Sequence, residues 1–378
     1  MTLGERIKTQ DQLIIIDLRT WPWTGIGRVT RGIFDCAREL ELEFDIRYIV
    51  SDEVPILKDL PNLFHFQSRP FGRGEQIEFY RLFKSLSGRR VLLHSLNFNV
   101  PLFLPSHVRQ IVQFYDVLTD TGEFRTVFHH LAYNTYIWRL SRHRATVLAQ
   151  SDYTAKQIAK HHPFAEVIVS PHGYSNYLVP LVIDVRVAYR LIRPYFLYIG
   201  LNKPRKNLDG LLSSYRDALK AHPEIGYDLV VCGPIFDRTS LGFDIKGAVA
   251  AEPILKGRVL LLGFIPEEHL YAIYRNASLY VVPSHLESGY SYPALEALTA
   301  GTPVLLNRVD MYNYSSDGNG VFFFDGNSKD GPSSLNSVMN DMLMRPAFER
   351  VDPEHCDVLA RFSWARVKDT MKSLYQLT

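Results

Sequence analysis

Short apolar runs alternate along the chain with longer stretches in which apolar residues recur at every third or fourth position. The run 13–17 reads as a buried strand, and the stretch after it has a helical period, with apolar residues at Ile26, Val29, Ile33, Ala37 and Leu40. Such alternation predicts βα units on parallel sheets. Further strands are predicted at 91–94, 111–114, 147–151, 167–170, 195–199, 229–232, 259–262, 279–282 and 303–307.

The stretch from about 178 to 194 has mixed character and a proline, and after it the alternation begins afresh. We interpret it as the connection between two doubly wound α/β domains, 1–185 and 186–362. With 378 residues, 46% of them hydrophobic, the chain is long enough for two separate cores.

Charge and cysteine content exclude several functions. The 42 basic and 40 acidic residues leave a formal net charge of +2, which gives no general case for nucleic-acid binding. Cys36, Cys232 and Cys356 lie far apart and in no metal-ligand spacing, so neither a disulfide framework nor a zinc site is expected. A reducing compartment fits this pattern best.

The first residues lack the apolar core of a secretory signal, and no apolar run approaches the roughly 20 residues of a membrane span. We therefore expect a cytoplasmic protein. Trp21 and Trp23, with Arg28 and Arg31 nearby, could meet the inner face of a membrane as a peripheral contact. The same residues suit a core or a binding site better.

A glycine-bearing segment, TWPWTGIGRVTRGI, follows the first strand. Gly25 and Gly27 could let backbone approach a ligand, and a helix beginning here would present free N–H groups to an anion. The third glycine of the dinucleotide fingerprint is missing, and so is the acidic residue expected about 20 positions later. Packing in a tight turn explains the two glycines equally well.

A basic loop, NKPRKN, follows the strand 195–199 and precedes a helix. Its cations, Lys203, Arg205 and Lys206, would lie at the carboxyl edge of a parallel sheet, where open α/β folds bind ligands. There they could neutralise the charge on a departing diphosphate. A solvated basic turn is the alternative interpretation.

The segment SGYSYPALEALTAG follows the strand 279–282, and Pro293 suits the first turn of a helix. Loop N–H groups from Ser288 to Ser291 could bind phosphate oxygens, and Glu296, one turn into the helix, could accept hydrogen bonds from two ribose hydroxyls. A helical glutamate is more often solvated surface. Similarly, Asp116 at the end of a strand could face a ligand or form a turn.

No Asp-x-Asp motif occurs in the chain, so the commonest carboxylate arrangement for a metal-bridged nucleotide sugar is missing. We expect chemistry that needs no metal, with Arg205 and Lys206 in the role of the cation. There is also no Gly-x-Ser-x-Gly elbow and no phosphate-binding P-loop, which disfavours a hydrolase or a nucleoside triphosphatase.

Several segments, in this order, resemble the retaining glycosyltransferases of family 4 (glycosyl transferases group 1), which have the GT-B fold. They are GIGRVTRGI, FYDVL, SDYTAKQI, VSPHGYS, PRKNLDGLL, GFIPEEHLYAIYRNASLYVVPS and FSWARVKDTMKSLYQ. The resemblance extends over nearly the whole chain. It implies two Rossmann-like domains facing a cleft, with the acceptor side in 1–185 and the nucleotide sugar in 186–362. The final helix, about 363–378, would pack back on the first domain.

The resemblance also implies roles for individual residues. Arg205 and Lys206 would bind the donor diphosphate, Glu296 the ribose, and backbone at 289–291 phosphate or sugar, while Phe264 and Ile265 would flank the base. The candidate residues are, for catalysis, Arg205, Lys206, Glu287 and Asp116; for the donor, Gly25, Gly27, Phe264, Ile265, Ser288, Gly289, Tyr290, Ser291 and Glu296; and on the acceptor side, Arg28, Tyr115 and His172.

The chain departs from the family pattern at one important position. Members usually carry Glu-x7-Glu, but counting back from Glu296 gives Ser288, with Glu287 one residue too early. Either a one-residue bulge lets Glu287 contact the sugar, or that contact is lost. Tyr115 stands where many members have histidine, so it is expected only to shape the acceptor side.

The expected reaction is transfer of a hexose, with retention, from a GDP- or UDP-sugar to a hydroxyl of a glycan or lipid-linked glycan, as in polysaccharide biosynthesis. Mannose is slightly favoured, and no metal or other cofactor is expected. The alternatives are a non-catalytic GT-B protein that binds a nucleotide sugar, and a sugar-nucleotide epimerase or phosphorylase.

Overall fold

A computed structural model describes residues 12–23, 25–54, 60–72, 74–115, 145–161, 166–174, 183–233, 243–285, 291–308, 320–328 and 331–377. The chain divides into two compact units. The first unit consists of Met1–Ser175 and Phe362–Thr378, and the second of Asn176–Arg361. Within the ranges given above, no helix is long and apolar enough to cross a bilayer.

The first unit is built on a seven-stranded sheet in the order β3-β2-β1-β4-β5-β6-β7, with every pairing parallel. Its described elements are β1 (Gln12–Asp17), α1 (Gly25–Leu40), β2 (Asp45–Val50), β3 (Leu63–His65), α2 (Glu75–Ser85), β4 (Arg90–Ser95), β5 (Val108–Phe114), β6 (Thr146–Ala149), α3 (Asp152–His161) and β7 (Glu166–Val169). Apolar side chains of β1 and β4, such as Leu13 and Leu93, pack with Phe79 and Phe83 of α2 in a core.

The second unit contains a six-stranded parallel sheet in the order β10-β9-β8-β11-β12-β13. Its described elements are α4 (Val185–Tyr189), β8 (Tyr195–Ile199), α5 (Leu208–Ala221), β9 (Asp228–Cys232), α6 (Ile245–Ala251), β10 (Val259–Gly263), α7 (Glu267–Asn276), β11 (Leu279–Val282), α8 (Tyr292–Thr299), β12 (Val304–Asn307), β13 (Val321–Phe324), α9 (Leu335–Leu343) and α10 (Asp357–Arg361), with short 3₁₀ helices at Pro204–Lys206, Pro253–Leu255 and Pro353–His355.

The chain ends in the first unit with α11 (Trp364–Leu377). Val367, Met371 and Tyr375 are buried on one face of this helix. Lys368 and Lys372 form ion pairs with Glu39 and Glu43, at 2.5 and 2.7 Å, so α11 lies along α1.

All ten strands that the apolar runs predicted are present, with ends shifted by at most three residues. Three further strands, β2, β3 and β13, were not predicted. Gly25 and Gly27, interpreted above as possible tight-turn residues, lie in the first turn of α1, because this helix begins at Gly25.

Candidate functional site

The second sheet reverses its strand order between β8 and β11, which are hydrogen-bonded neighbours. Chain segments leaving the carboxyl ends of these two strands run in opposite directions across the sheet. Open α/β folds bind their ligands in the crevice that this reversal creates. The loops after β8 and β11 are therefore the first place to look for a site.

The loop after β8 contains the 3₁₀ helix Pro204–Lys206, followed by Asn207 in the left-handed backbone region at φ 52°. The Asn207 side chain donates a hydrogen bond to Pro283 O at 3.1 Å, and His285 N donates to Arg205 O at 2.9 Å. Two hydrogen bonds thus join this loop to the segment after β11. Arg205 and Lys206 are held at the strand reversal, with their side chains half-buried.

Glycines at the carboxyl ends of neighbouring strands let the backbone pack closely. Gly233, after β9, has φ 114°, and a Cβ there would lie 2.3 Å from Gly200 O after β8. Its N–H donates to Gly263 O, at the end of β10, at 2.6 Å. The backbones at the ends of these three strands therefore lie close together.

The helix expected after the third segment is present as α8, with Pro293 in its first turn. Ser291 precedes the helix and is buried, and its side chain does not cap the helix N-terminus. Glu287, Ser288, Gly289 and Tyr290 lie outside the described residues, so the displaced first glutamate stays a prediction.

Glu296 is buried, not solvated, with 6% of its surface exposed. Its Oε2 accepts a hydrogen bond from the Tyr274 hydroxyl of α7 at 2.8 Å. The Tyr274 ring packs edge-on against Tyr280 of β11, whose hydroxyl donates to Ile199 O at 3.0 Å. This chain of contacts connects Glu296 to the carboxyl end of β8, beside the loop that carries Arg205.

Phe264 and Ile265, predicted to flank a base, follow β10 and differ in exposure. Phe264 is 79% exposed, whereas Ile265 is 5% exposed. Phe264 is therefore available to a planar ligand, and Ile265 forms part of the packing beneath.

In the first unit, Gly25 and Arg28 lie in the first turn of α1. A Cβ on Gly27 would lie 2.4 Å from Trp21 O, so this glycine is required for packing α1 on the preceding turn. The half-buried Trp21 packs edge-on against Phe34 at 5.5 Å. These contacts favour the packing interpretation of the segment over the ligand interpretation.

Tyr115 and His172 come together in the first unit, with ring centroids 5.0 Å apart. His172 Nδ1 lies 3.3 Å from Gln113 Nε2. The other ring nitrogen of His172, Nε2, has no hydrogen-bond partner within the described ranges. Burial lowers the pKa of His172 to about 3, so its ring is neutral near pH 7. Asp116, the next residue after Tyr115, lies outside the described residues.

Sequence reasoning missed a buried polar network at the strand reversal of the first sheet, between β1 and β4. Arg19, fully buried, contacts Asp17 at 2.6 Å and Glu75 at 2.8 Å, and Asn99 donates to Glu75 at 2.6 Å. Burial raises the pKa of Glu75 to about 7, against the opposing effect of Arg19. Glu75 is 56 positions from Arg19 along the chain, so no local pattern pointed to it.

Two parallel-sheet units, each with this strand reversal, define the GT-B class of fold. Solved structures with the same fold match this chain over nearly its whole length. Sucrose-phosphate synthase from Thermosynechococcus elongatus matches with a TM-score of 0.71 at 18% identity, over 97% of this chain and 99% of that one. HepE of Anabaena, solved with UDP, matches with a TM-score of 0.67 at 11% identity, over 97% and 100% of the two chains.

Sequence comparisons narrow the class further. Residues 189–350 match the model of the family "Glycosyl transferases group 1". O-antigen chain mannosyltransferase B of Escherichia coli is 27% identical over 321 residues, which cover 76% of this chain and 80% of that protein. These matches support a hexosyltransferase with the GT-B fold. Among the described residues, no group of three or more His, Cys, Asp or Glu side chains is placed to hold a metal ion.

Proposed function

We propose that this protein is a retaining glycosyltransferase of family 4 that transfers a hexose from a nucleotide-diphosphate sugar to a glycan or lipid-linked glycan. The proposal places it in polysaccharide biosynthesis, with a GDP- or UDP-sugar as donor and mannose as the favoured sugar. The observation that carries it is the fastening of the Arg205–Lys206 loop to the segment after β11 at the strand reversal of the second sheet.

Support for the donor comes from charge and position. Two cationic residues follow β8 on a loop that two hydrogen bonds hold in place, and a fixed cation stabilises a leaving diphosphate without reorganising during the reaction. UDP is bound in the HepE structure, and the Escherichia coli relative is named a mannosyltransferase. The first comparison supports UDP as a candidate nucleotide, and the second supports mannose as a candidate sugar.

In the proposed mechanism, Arg205 and Lys206 neutralise the diphosphate as the bond to the anomeric carbon breaks. The leaving phosphate takes the proton of the attacking hydroxyl, so no side-chain nucleophile is required. Because the two side chains supply the positive charge, we propose that transfer needs no metal. Glu296 is proposed to accept hydrogen bonds from the ribose, with Tyr274 holding its carboxylate in position.

The acceptor is assigned to the first unit, where Tyr115 and the neutral His172 lie together. Arg28 and Asp116 belong to the same proposal. Cytoplasmic location stays an expectation from the sequence.

A thermal-shift screen against UDP, GDP, ADP, CMP and dTDP, with and without Mg²⁺, tests the donor site. A ligand that binds the native state alone raises the melting temperature. We expect selective stabilisation by UDP or GDP that EDTA does not abolish, followed by transfer or hydrolysis of the corresponding sugar nucleotide. Stabilisation by none of the five would refute the donor assignment, and stabilisation only with Mg²⁺ would refute metal independence.

A further inference from the structure

Gln113 and His172 meet at the carboxyl edge of the first sheet, although they come from different strands. Gln113 is the penultimate residue of β5, and His172 follows β7, two strands away in the sheet. Gln113 Nε2 lies 3.3 Å from His172 Nδ1, and the two residues are only 2% and 6% exposed. The contact is therefore built into the folded unit and does not depend on a ligand.

The direction of this hydrogen bond determines where the proton of the His172 ring lies. An amide nitrogen donates and does not accept, so His172 Nδ1 is the acceptor and carries no proton. Burial lowers the pKa of His172 to about 3, so the ring is neutral near pH 7 and keeps one proton. That proton must then be on Nε2.

The Nε2–H group of His172 has no hydrogen-bond partner in the part of the chain that the structure describes. A buried N–H group without a partner costs free energy, and folded proteins keep few of them. The backbone on both sides of the residue is held in place, because Ser170 N donates to Ala149 O at 2.8 Å and Tyr174 N donates to Phe362 O at 2.6 Å. A fixed ring with one unused donor suits an oxygen supplied by a ligand, and open α/β sheets bind ligands at this edge.

We propose that Gln113 is a positioning residue for the acceptor: its amide holds His172 as the Nε2–H tautomer, and Nε2–H donates a hydrogen bond to an oxygen of the acceptor sugar. In this tautomer His172 cannot remove the proton of the attacking hydroxyl, because Nε2 has no free lone pair. The pair orients the acceptor and leaves proton transfer to the departing phosphate. The inference rests on the proposed function and adds Gln113 to its acceptor site.

The tautomer can be measured without substrates in the full chain labelled with ¹⁵N-histidine. Two-bond ¹H–¹⁵N correlation spectra show which ring nitrogen carries the proton, and the signals lost in His172→Gln identify His172 among the 13 histidines. We expect a protonated Nε2 in the unchanged protein. Gln113→Glu places a carboxylate, which only accepts, beside Nδ1, so Nδ1 should become protonated. A protonated Nδ1 in the unchanged protein would overturn the proposal.

Transfer to a sugar tests the role of the pair toward the acceptor. Methyl α-mannoside serves as the acceptor probe, and hydrolysis of the same sugar nucleotide is the internal reference, because water then takes the place of the acceptor. Gln113→Glu should lower kcat/KM for transfer, relative to the rate of hydrolysis, about tenfold, since one hydrogen bond to the acceptor is lost. Methyl α-mannoside should also shift the Nε2–H signal of His172 in the unchanged protein.

Matched variants separate positioning from stability. Gln110→Glu introduces a carboxylate at another buried glutamine of β5, which is 5% exposed and donates to Ser95 Oγ at 3.4 Å. It should change neither the tautomer of His172 nor the ratio of transfer to hydrolysis. Gln113→Met removes the amide without adding charge, so both tautomers should be populated, and it replaces Gln113→Glu if that variant does not fold. His172→Gln, which keeps an N–H donor, should retain more transfer than His172→Met.

The results distinguish failure of the positioning role from failure of the proposed function. An unchanged tautomer and an unchanged ratio in Gln113→Met, or equal losses in Gln110→Glu and Gln113→Glu, would show that Gln113 does not position His172. Neither transfer nor hydrolysis of any sugar nucleotide by the unchanged protein would refute the proposed function, and with it the role of the pair toward an acceptor.

Discussion

Replacing Asn207 by alanine should destabilise the second unit, because two separate features of this residue are lost together. Its backbone is left-handed at φ 52°, a region that asparagine tolerates and alanine does not. Its buried side chain holds the loop of Arg205 and Lys206 to Pro283 O at 3.1 Å. The backbone strain is about 1 kcal/mol and the lost hydrogen bond about 1 kcal/mol, so we expect a total of about 2 kcal/mol.

Thermal unfolding converts this estimate into a measurement. For a unit of this size, about 1 kcal/mol corresponds to a shift of roughly 2 to 4 °C in Tm, so Asn207→Ala should lower Tm by about 4 to 8 °C. Asn276→Ala is the matched control, since Asn276 also donates to a carbonyl, Ala272 O at 2.9 Å, but has no left-handed backbone. Its Tm should change by less than about 2 °C, because alanine also favours the helix end.

The same variant tests the proposed phosphate loop. Without its anchor to the segment after β11, the loop should hold Arg205 and Lys206 less rigidly, and affinity for UDP or GDP should fall while the Asn276→Ala control binds normally. A Tm decrease below about 1 °C would contradict the energetic reasoning. A full decrease in Tm with unchanged nucleotide affinity would show that the loop is not the phosphate site.

Further predictions concern charge, pH and backbone packing. Lys206→Ala should lower turnover at least about 100-fold with an unchanged Tm. Lys256→Ala, a control at an exposed lysine, should leave turnover unchanged. Near-normal turnover for Lys206→Ala would refute the role of this residue in phosphate binding. Burial lowers the pKa of His94 to about 4, so between about pH 6.5 and 4 the unfolded chain takes up a proton that the folded chain excludes, and stability should fall over that range. In urea titrations, His94→Gln should remove about 3 kcal/mol of this loss in stability. The same pH dependence in the variant and the unchanged protein would contradict this reasoning. Gly233→Ala should destabilise the second unit by at least about 2 kcal/mol, because φ is 114° and the added Cβ would lie 2.3 Å from Gly200 O. Gly226→Ala is the control and should have little effect, since no atom lies within 4 Å of the added Cβ. Equal shifts in Tm for the two variants would refute this prediction.

Apolar runs identified the central strands because strands buried on both faces read as continuous hydrophobic sequence. They did not identify β2, where Asp45 and Arg47 interrupt the run, or β3, which has three residues and lies at the sheet edge. The basic loop was visible because its cations directly follow a strand.

Other features of the site depend on partners far along the chain. The burial of Glu296 depends on Tyr274, which lies 22 residues earlier on another helix. Arg19 and Glu75 likewise meet through tertiary structure, and neither residue has a local signature. The sequence therefore located the loops at the carboxyl ends of the strands, but it did not predict how the buried side chains around them are paired.

The two sheets share a strand reversal but differ in the chemistry placed there, and this difference argues for which unit receives the anionic donor. In the first unit, Arg19 is fully buried and its guanidinium contacts two carboxylates, so it has little positive potential to offer a phosphate. In the second unit, Arg205 and Lys206 are half-exposed on a loop that two hydrogen bonds hold in place. A diphosphate should therefore bind the second unit, and removing cations there should weaken nucleotide binding, whereas Arg19→Met should reduce the stability of the first unit without changing affinity for UDP or GDP.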